Sequence, residues 1–183
     1  KKIAKAEDLK GVKVRISGLN AKALQVFGAV PTMVTAPEGY TALERGTIDS
    51  FGFPYTYAFG AYKMFEVSKY VTEGVAMSGF MCWQGISTGA YDKMPEKVKK
   101  ALPELQLQAQ QAMIKAYEKS DAKWRPIFKE KLDMSQFPAS EREKLAAGSA
   151  KYWKEWADQQ EAAGRPGKKI LEFVKAEVAK ATK

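Results

Sequence analysis

The chain has 183 residues, enough for one domain or two small lobes with a real core, and its 45% hydrophobic and 28% charged content is that of an ordinary globular protein. It has no histidine and a single cysteine, Cys82, so neither a His/Cys zinc site nor a Ser-His or Cys-His nucleophile pair can be assembled. The formal charge of +9 invites a nucleic-acid reading. However, residues 1–94 hold 11 basic and 8 acidic side chains against 19 and 13 in residues 95–183, where the signs interleave as on solvated helix faces.

In chain order, residues 11–17 predict a strand with Val12, Val14 and Ile16 on one face and Arg15 on the other. Residues 20–27 predict a helix capped by Asn20 and stopped by Gly28, followed by a strand over 31–35. Residues 38–44 predict a second short helix closed by Gly46, and residues 47–54 a third strand broken at Pro54. This β-α-β-α-β order implies a mainly parallel sheet, and such sheets place ligands at the carboxyl ends of their strands. The positions to watch are residues 15–18, 34–36 and 52–55. A further uncharged stretch, residues 76–87, reads as a long strand crossing between lobes.

From Met94 the texture turns helical. Val98, Leu102, Leu105, Ala109, Ala112, Ala116 and Tyr117 recur at spacings of three or four, with Pro103 near the helix start and Pro126 expected to kink or end it. Residues 132–137 read as a short extended link. Ser140 with Glu143 forms a capping-box pattern that opens a helix running to Gly164, and residues 170–178 predict a last amphipathic helix.

Arg15 is the sharpest candidate for chemistry, because an arginine within an apolar strand is costly to desolvate unless a carboxylate or phosphate meets its planar fork. The plainer alternative is an edge arginine paired with Asp49 or Glu44. Six aromatic rings fall within residues 51–62 without a charge, suited to a pocket wall or, more simply, to core. Asp49 reads as a turn or cap residue. Neither a phosphate loop nor a convergent carboxylate pair is present, so nothing here reads as an enzyme and no cofactor is called for.

Three spaced blocks carry a resemblance. Glu7-Asp-Leu-Lys-Gly-Val-Lys-Val-Arg15, Phe27-Gly-Ala-Val-Pro31 and Tyr40-Thr-Ala-Leu-Glu-Arg-Gly-Thr-Ile-Asp49 resemble, in order, the DctP-type solute-binding proteins of tripartite ATP-independent periplasmic (TRAP) transporters. The likeness continues through residues 66–72 and 91–95 to the aromatic helix near Trp153. The resemblance implies an α/β periplasmic-binding-protein-like lobe with a mainly parallel sheet, followed by long C-terminal helices. It implies a second-lobe ligand-binding segment over residues 1–93, a helical part bridging the lobes over 94–183, and a first lobe lying outside this sequence. By the same token the protein is expected to be a periplasmic receptor that binds a small organic acid and delivers it to a membrane permease, the alternative being a basic helical protein- or nucleic-acid-interaction module. No nucleic acid is expected as a partner, and Arg15 is expected to hold the ligand carboxylate.

Gly18, Ala36, Phe53 and Trp83 join Arg15 as expected ligand-binding positions. Members that bind sialic acid carry an asparagine where this chain has Phe53 and an aromatic residue where it has Ala36. The departures point to a monocarboxylate or dicarboxylate with an apolar or aromatic body. Without a first lobe, an apolar face around Phe51, Phe53, Tyr55 and Trp83 is expected to lie bare and to favour self-association.

Overall fold

A computed structural model describes residues 1–75 and 85–181. Strand β1 (Lys13–Arg15) runs in the middle of a parallel sheet of order β2-β1-β3, between β2 (Val30–Pro31) and β3 (Ser50–Phe51). Val14 lies opposite both Pro31 and Ser50, and Arg15 opposite Phe51. The alternation read from the sequence holds: Val12 and Val14 are 2% and 3% exposed, and with Ile16 they pack against Ala6, Leu9, Leu24, Phe137 and Leu145. The strands are shorter than expected, because a glycine in the left-handed region sits close to each end of β1, Gly11 at φ +73° and Gly18 at φ +65°.

Gly18 also corrects the first helix. Helix α1 (Gly18–Gln25) begins two residues before Asn20, since the positive φ turns the chain straight out of β1, and the capping position falls to Ser17, whose side chain makes no cap hydrogen bond. After α1 the chain turns at Gly28, whose N–H donates to the Gln25 carbonyl at 2.9 Å, before β2. Helix α2 (Gly39–Glu44) ends as expected before Gly46. Beyond β3, α3 (Tyr55–Ala61) starts directly after Pro54, and α4 (Met64–Val67) follows a left-handed Lys63.

Strand β4 (Tyr70–Glu73) pairs in parallel with β5 (Asp133–Gln136), in a second sheet. The segment expected as an extended link is thus a strand, because a long helix returns the chain beside β4. Between them lie α5 (Thr88–Asp92), capped by the Ser87 side chain, and the 36-residue α6 (Glu96–Lys131). Of the expected crossing strand over 76–87, residues 76–84 are outside the described residues.

Pro126 was expected to kink or end the helix, and α6 does not end there but continues to Lys131. Losing one N–H and gaining a ring clash costs about 3 kcal/mol. Tertiary packing offsets that cost: Phe128, in the turn after the proline, is fully buried with Val71 and Leu132, against Tyr55, Phe59, Phe65 and Trp124. Helix α7 (Ala139–Ala162) follows Pro138, two residues earlier than the Ser140 cap would have it, and no side-chain cap forms there. The acid that matters in its first turn is Glu141, whose Oε2 accepts the Ala6 N–H at 2.8 Å and so fastens α7 to the turn before β1. After a left-handed Gly164, α8 (Gly167–Ala181) folds back on α7. Among the described residues no helix is long and apolar enough to cross a membrane.

Candidate ligand site

Arg15 does not take the plainer role of an edge arginine. It sits on the central strand, and Asp49 is engaged elsewhere, its Oδ2 accepting the Lys13 backbone N–H at 2.8 Å, while the Lys13 ammonium donates to the Gly46 carbonyl. The guanidinium is half-buried. Its Nε–H donates to the Val34 carbonyl at 3.0 Å and an Nη1–H to the Gly52 carbonyl at 3.4 Å. Two aromatic rings flank it, with the guanidinium carbon 5.0 Å from the centroid of Phe51 and 4.7 Å from that of Phe53. Burial pulls its pKa below the usual guanidinium range, with the nearby Tyr62 working the other way.

No carboxylate among the described residues forms an ion pair with Arg15. The two carbonyls fix the plane and position of the fork and occupy two of its five N–H donors. What remains is a pre-positioned, partly desolvated cation with no carboxylate paired to it among the described residues, and a fork so placed has the geometry to take an anion.

The surroundings are apolar. Phe53 packs on Phe51 at 5.5 Å and edge-on to Tyr62 at 5.9 Å, and the cluster beneath holds Ala42, Ile48 and Met64. Gly52 allows the close approach of Ile16, whose Cδ1 would lie 3.1 Å from any Cβ placed there. Arg15 and Phe53 open onto a cleft of about 1210 Å³ that runs between β3 and β4.

Of the five expected site residues, the structure brings Arg15 and Phe53 into contact. Gly18 opens α1 three residues beyond Arg15, and Ala36 closes a turn by accepting the Gly39 N–H; neither is among the residues lining the cleft. Trp83 lies outside the described residues. The expected bare apolar face is not where the sequence placed it. Phe51 is 8% exposed, and Phe53 and Tyr55 are half-buried, because the rings pack on one another and on the end of α6. Exposed apolar side chains include Leu105, Leu107 and Ile114 on α6, Phe173 and Val178 on α8, Tyr57 on α3 and Met33 after β2.

Of the polar groups that line the cleft beyond Phe53, sequence reasoning placed Tyr55 only at a strand end and in an apolar face, and it missed Glu73 and Arg125. Glu73 ends β4, Arg125 comes from α6, and Tyr55 opens α3. An Arg125 Nη2–H donates to Glu73 Oε1 at 2.9 Å, and the Arg125 guanidinium lies 5.9 Å from the Tyr55 ring centroid. Thr56 donates to Asp121, a second tie between α3 and α6. A half-buried acid ending a four-residue strand would have been the only signal.

The sheet order places Arg15 at the carboxyl end of the central strand, beside the end of β3, where parallel sheets place ligands. The sequence profile of the bacterial extracellular solute-binding protein family 7, DctP, matches residues 1–160, and the chain belongs to that family. Over 67 residues, 36% of this chain and 20% of the relative, it is 43% identical to the 2,3-diketo-L-gulonate-binding periplasmic protein YiaO of Escherichia coli strain K12. Similar solved folds include a TRAP periplasmic solute-binding protein of Bordetella bronchiseptica with bound (R)- and (S)-mandelate (TM-score 0.75, 22% identity, 99% of this chain and 58% of that one). Two from Rhodoferax ferrireducens hold malonate (0.78, 20%, 98% and 57%) and copurified benzoate (0.77, 23%, 100% and 58%). The chain therefore spans somewhat over half the length of these structures.

Proposed function

We propose that this chain supplies the carboxylate-holding side of a periplasmic solute receptor, in which Arg15 grips a small organic acid that the receptor delivers to a TRAP-type membrane permease. One observation carries the reading. Arg15 is held by two backbone carbonyls, stacked between Phe51 and Phe53, and left without a protein counter-charge among the described residues. Phe53 offers the wall for an apolar or aromatic body, while the cation takes the acid. The relatives that carry mandelate, malonate and benzoate support a carboxylate as the common element of the ligand.

Isothermal titration of the full-length protein with a panel of mono- and dicarboxylic acids tests the proposal. Arg15→Lys keeps the charge but loses the bidentate fork and both carbonyl contacts. Affinity for the bound acid should fall by more than tenfold, roughly 1.5–3 kcal/mol. Unchanged affinity in the lysine variant would remove Arg15 from the site.

A further inference from the structure

Gly39 opens α2 and is buried, yet it is not among the residues lining the cleft. Its φ lies outside the left-handed region, so the backbone there accepts a side chain, and helix propensity favours alanine over glycine. What rules out a larger residue is space. A Cβ on Gly39 would fall inside the van der Waals contact of Phe51 Cε2, 2.9 Å from Phe51 Cδ2 and 3.0 Å from Met64 Cε. The methionine end is flexible and can give way, but the ring edge cannot. Phe51 already has Phe53 at 5.5 Å, Phe59 at 6.4 Å and the Arg15 guanidinium carbon 5.0 Å from its centroid. Its strand is tied to Arg15 as well. Phe51 lies opposite Arg15 in the parallel register, the Gly52 N–H donates to the Arg15 carbonyl at 2.8 Å, and the Gly52 carbonyl accepts from Arg15 Nη1 at 3.4 Å.

From this packing we infer that Gly39 is a positioning residue for the ligand site: it leaves the room in which the Phe51 ring rests against the Arg15 guanidinium, and through that ring it sets how tightly a carboxylate is held. The inference rests on Arg15 as the carboxylate anchor and adds a residue that acts on it from outside the cleft. With the ring in place, part of the cation is shielded from water, and a partly desolvated fork grips a carboxylate more strongly than a hydrated one. A methyl group at position 39 pushes on the ring, and the push reaches either the guanidinium or the β3 backbone that accepts from it. A fork displaced by about 1 Å loses the straight geometry of its hydrogen bonds. Water admitted beside the cation screens its charge. Gly39 does not line the cleft, so its effect on a ligand has to pass through Phe51.

The test titrates phenylacetate, lactate and glutarate calorimetrically into the full-length protein at low and high salt, well below the Tm of each variant. Gly39→Ala should weaken the tightest-binding acid by about fivefold or more, the worth of one net hydrogen bond, and its affinity should fall more steeply with salt. Phe51→Val keeps a strand-forming residue but removes the ring, and it should also weaken the acid and steepen the salt dependence. Adding Gly39→Ala to Phe51→Val should cost less than about twofold more, because the clash partner is gone. A purely structural role for Gly39 would lower Tm and leave affinity and salt dependence as they were. Unchanged affinity in Gly39→Ala, or a penalty that persists in full beside Phe51→Val, overturns the inference while leaving Arg15 in place. So does unchanged affinity in Phe51→Val, which decides the matter if Gly39→Ala does not fold. If none of the three acids binds, or Arg15→Lys binds as tightly as the unaltered protein, the carboxylate reading falls and this inference falls with it.

Discussion

Gly60 marks the point where α3 presses hardest on α6. A Cβ built there would fall inside the van der Waals contact of the Trp124 ring at Cε2, Cδ2 and Nε1. The indole has little room to retreat, since Phe128 stacks behind it at 6.2 Å, Phe65 lies at 5.6 Å, and the Lys123 ammonium sits 4.6 Å from its centroid. Gly60→Ala gains about 1 kcal/mol of helix propensity. Overpacking against a ring that cannot move costs typically 1–3 kcal/mol, occasionally more, and here it should exceed the gain. The expected net is a destabilisation of up to about 2 kcal/mol. Gly89→Ala in α5, where nothing lies within 4 Å of the new methyl group, keeps the propensity gain alone and should stabilise by up to ~1 kcal/mol. Urea unfolding followed by far-ultraviolet circular dichroism compares the two variants at constant m-value. Gly60→Ala should also cost less in a Trp124→Ala background, because the clash partner is gone. A Gly60→Ala protein as stable as Gly89→Ala would refute the close packing of α3 on α6.

Phe128→Ala should destabilise by about 3–5 kcal/mol in the same unfolding assay, since a fully buried ring at the junction of β4, α3 and α6 is lost and the proline-bearing turn loses its anchor. The Glu141 carboxyl is held below its ordinary value of 4.5, first by the Ala6 N–H and then by Lys144. A depressed folded-state pKa contributes stability that is fully present above 4.5 and is lost as pH falls through the lower folded value. Glu141→Gln should therefore flatten the acid limb of a Tm-against-pH curve below about pH 4.5 and leave its slope near neutrality unchanged; an unaltered acid limb would show that the tie to Ala6 is not formed in solution.

The half of the fold that could be read from the sequence is the half governed by short-range pattern. Val12, Val14 and Ile16 alternate, and β1 follows; Gly28, Gly46 and Gly164 close helices at the expected places. Pattern failed where a distant partner decides. β4 has four residues with an exposed Tyr70, and only its register with Asp133–Gln136 makes it a strand. Pro126 obeys its local rule in an isolated helix and is overruled here by the burial of Phe128. The site divides the same way. A charge inside an apolar strand announces Arg15, whereas Tyr55, Glu73 and Arg125 come from three elements, and no spacing along the chain links them.

The pairing of β4 with β5 also sets a timetable. The strands are four residues each, some 13 Å long, yet the helix between them runs 36 residues, about 54 Å. On a ribosome or a translocating channel, β4 emerges some 60 residues ahead of its partner and waits with its edge unpaired. Helix α6, built from local contacts, can form within microseconds of release and shortens the span that must close. Its last turns then deliver Phe128 and β5 together. Changes that weaken α6 should thus slow the late closing step and lengthen the life of an open-edged intermediate, even at sites on α6 that touch nothing in the finished fold.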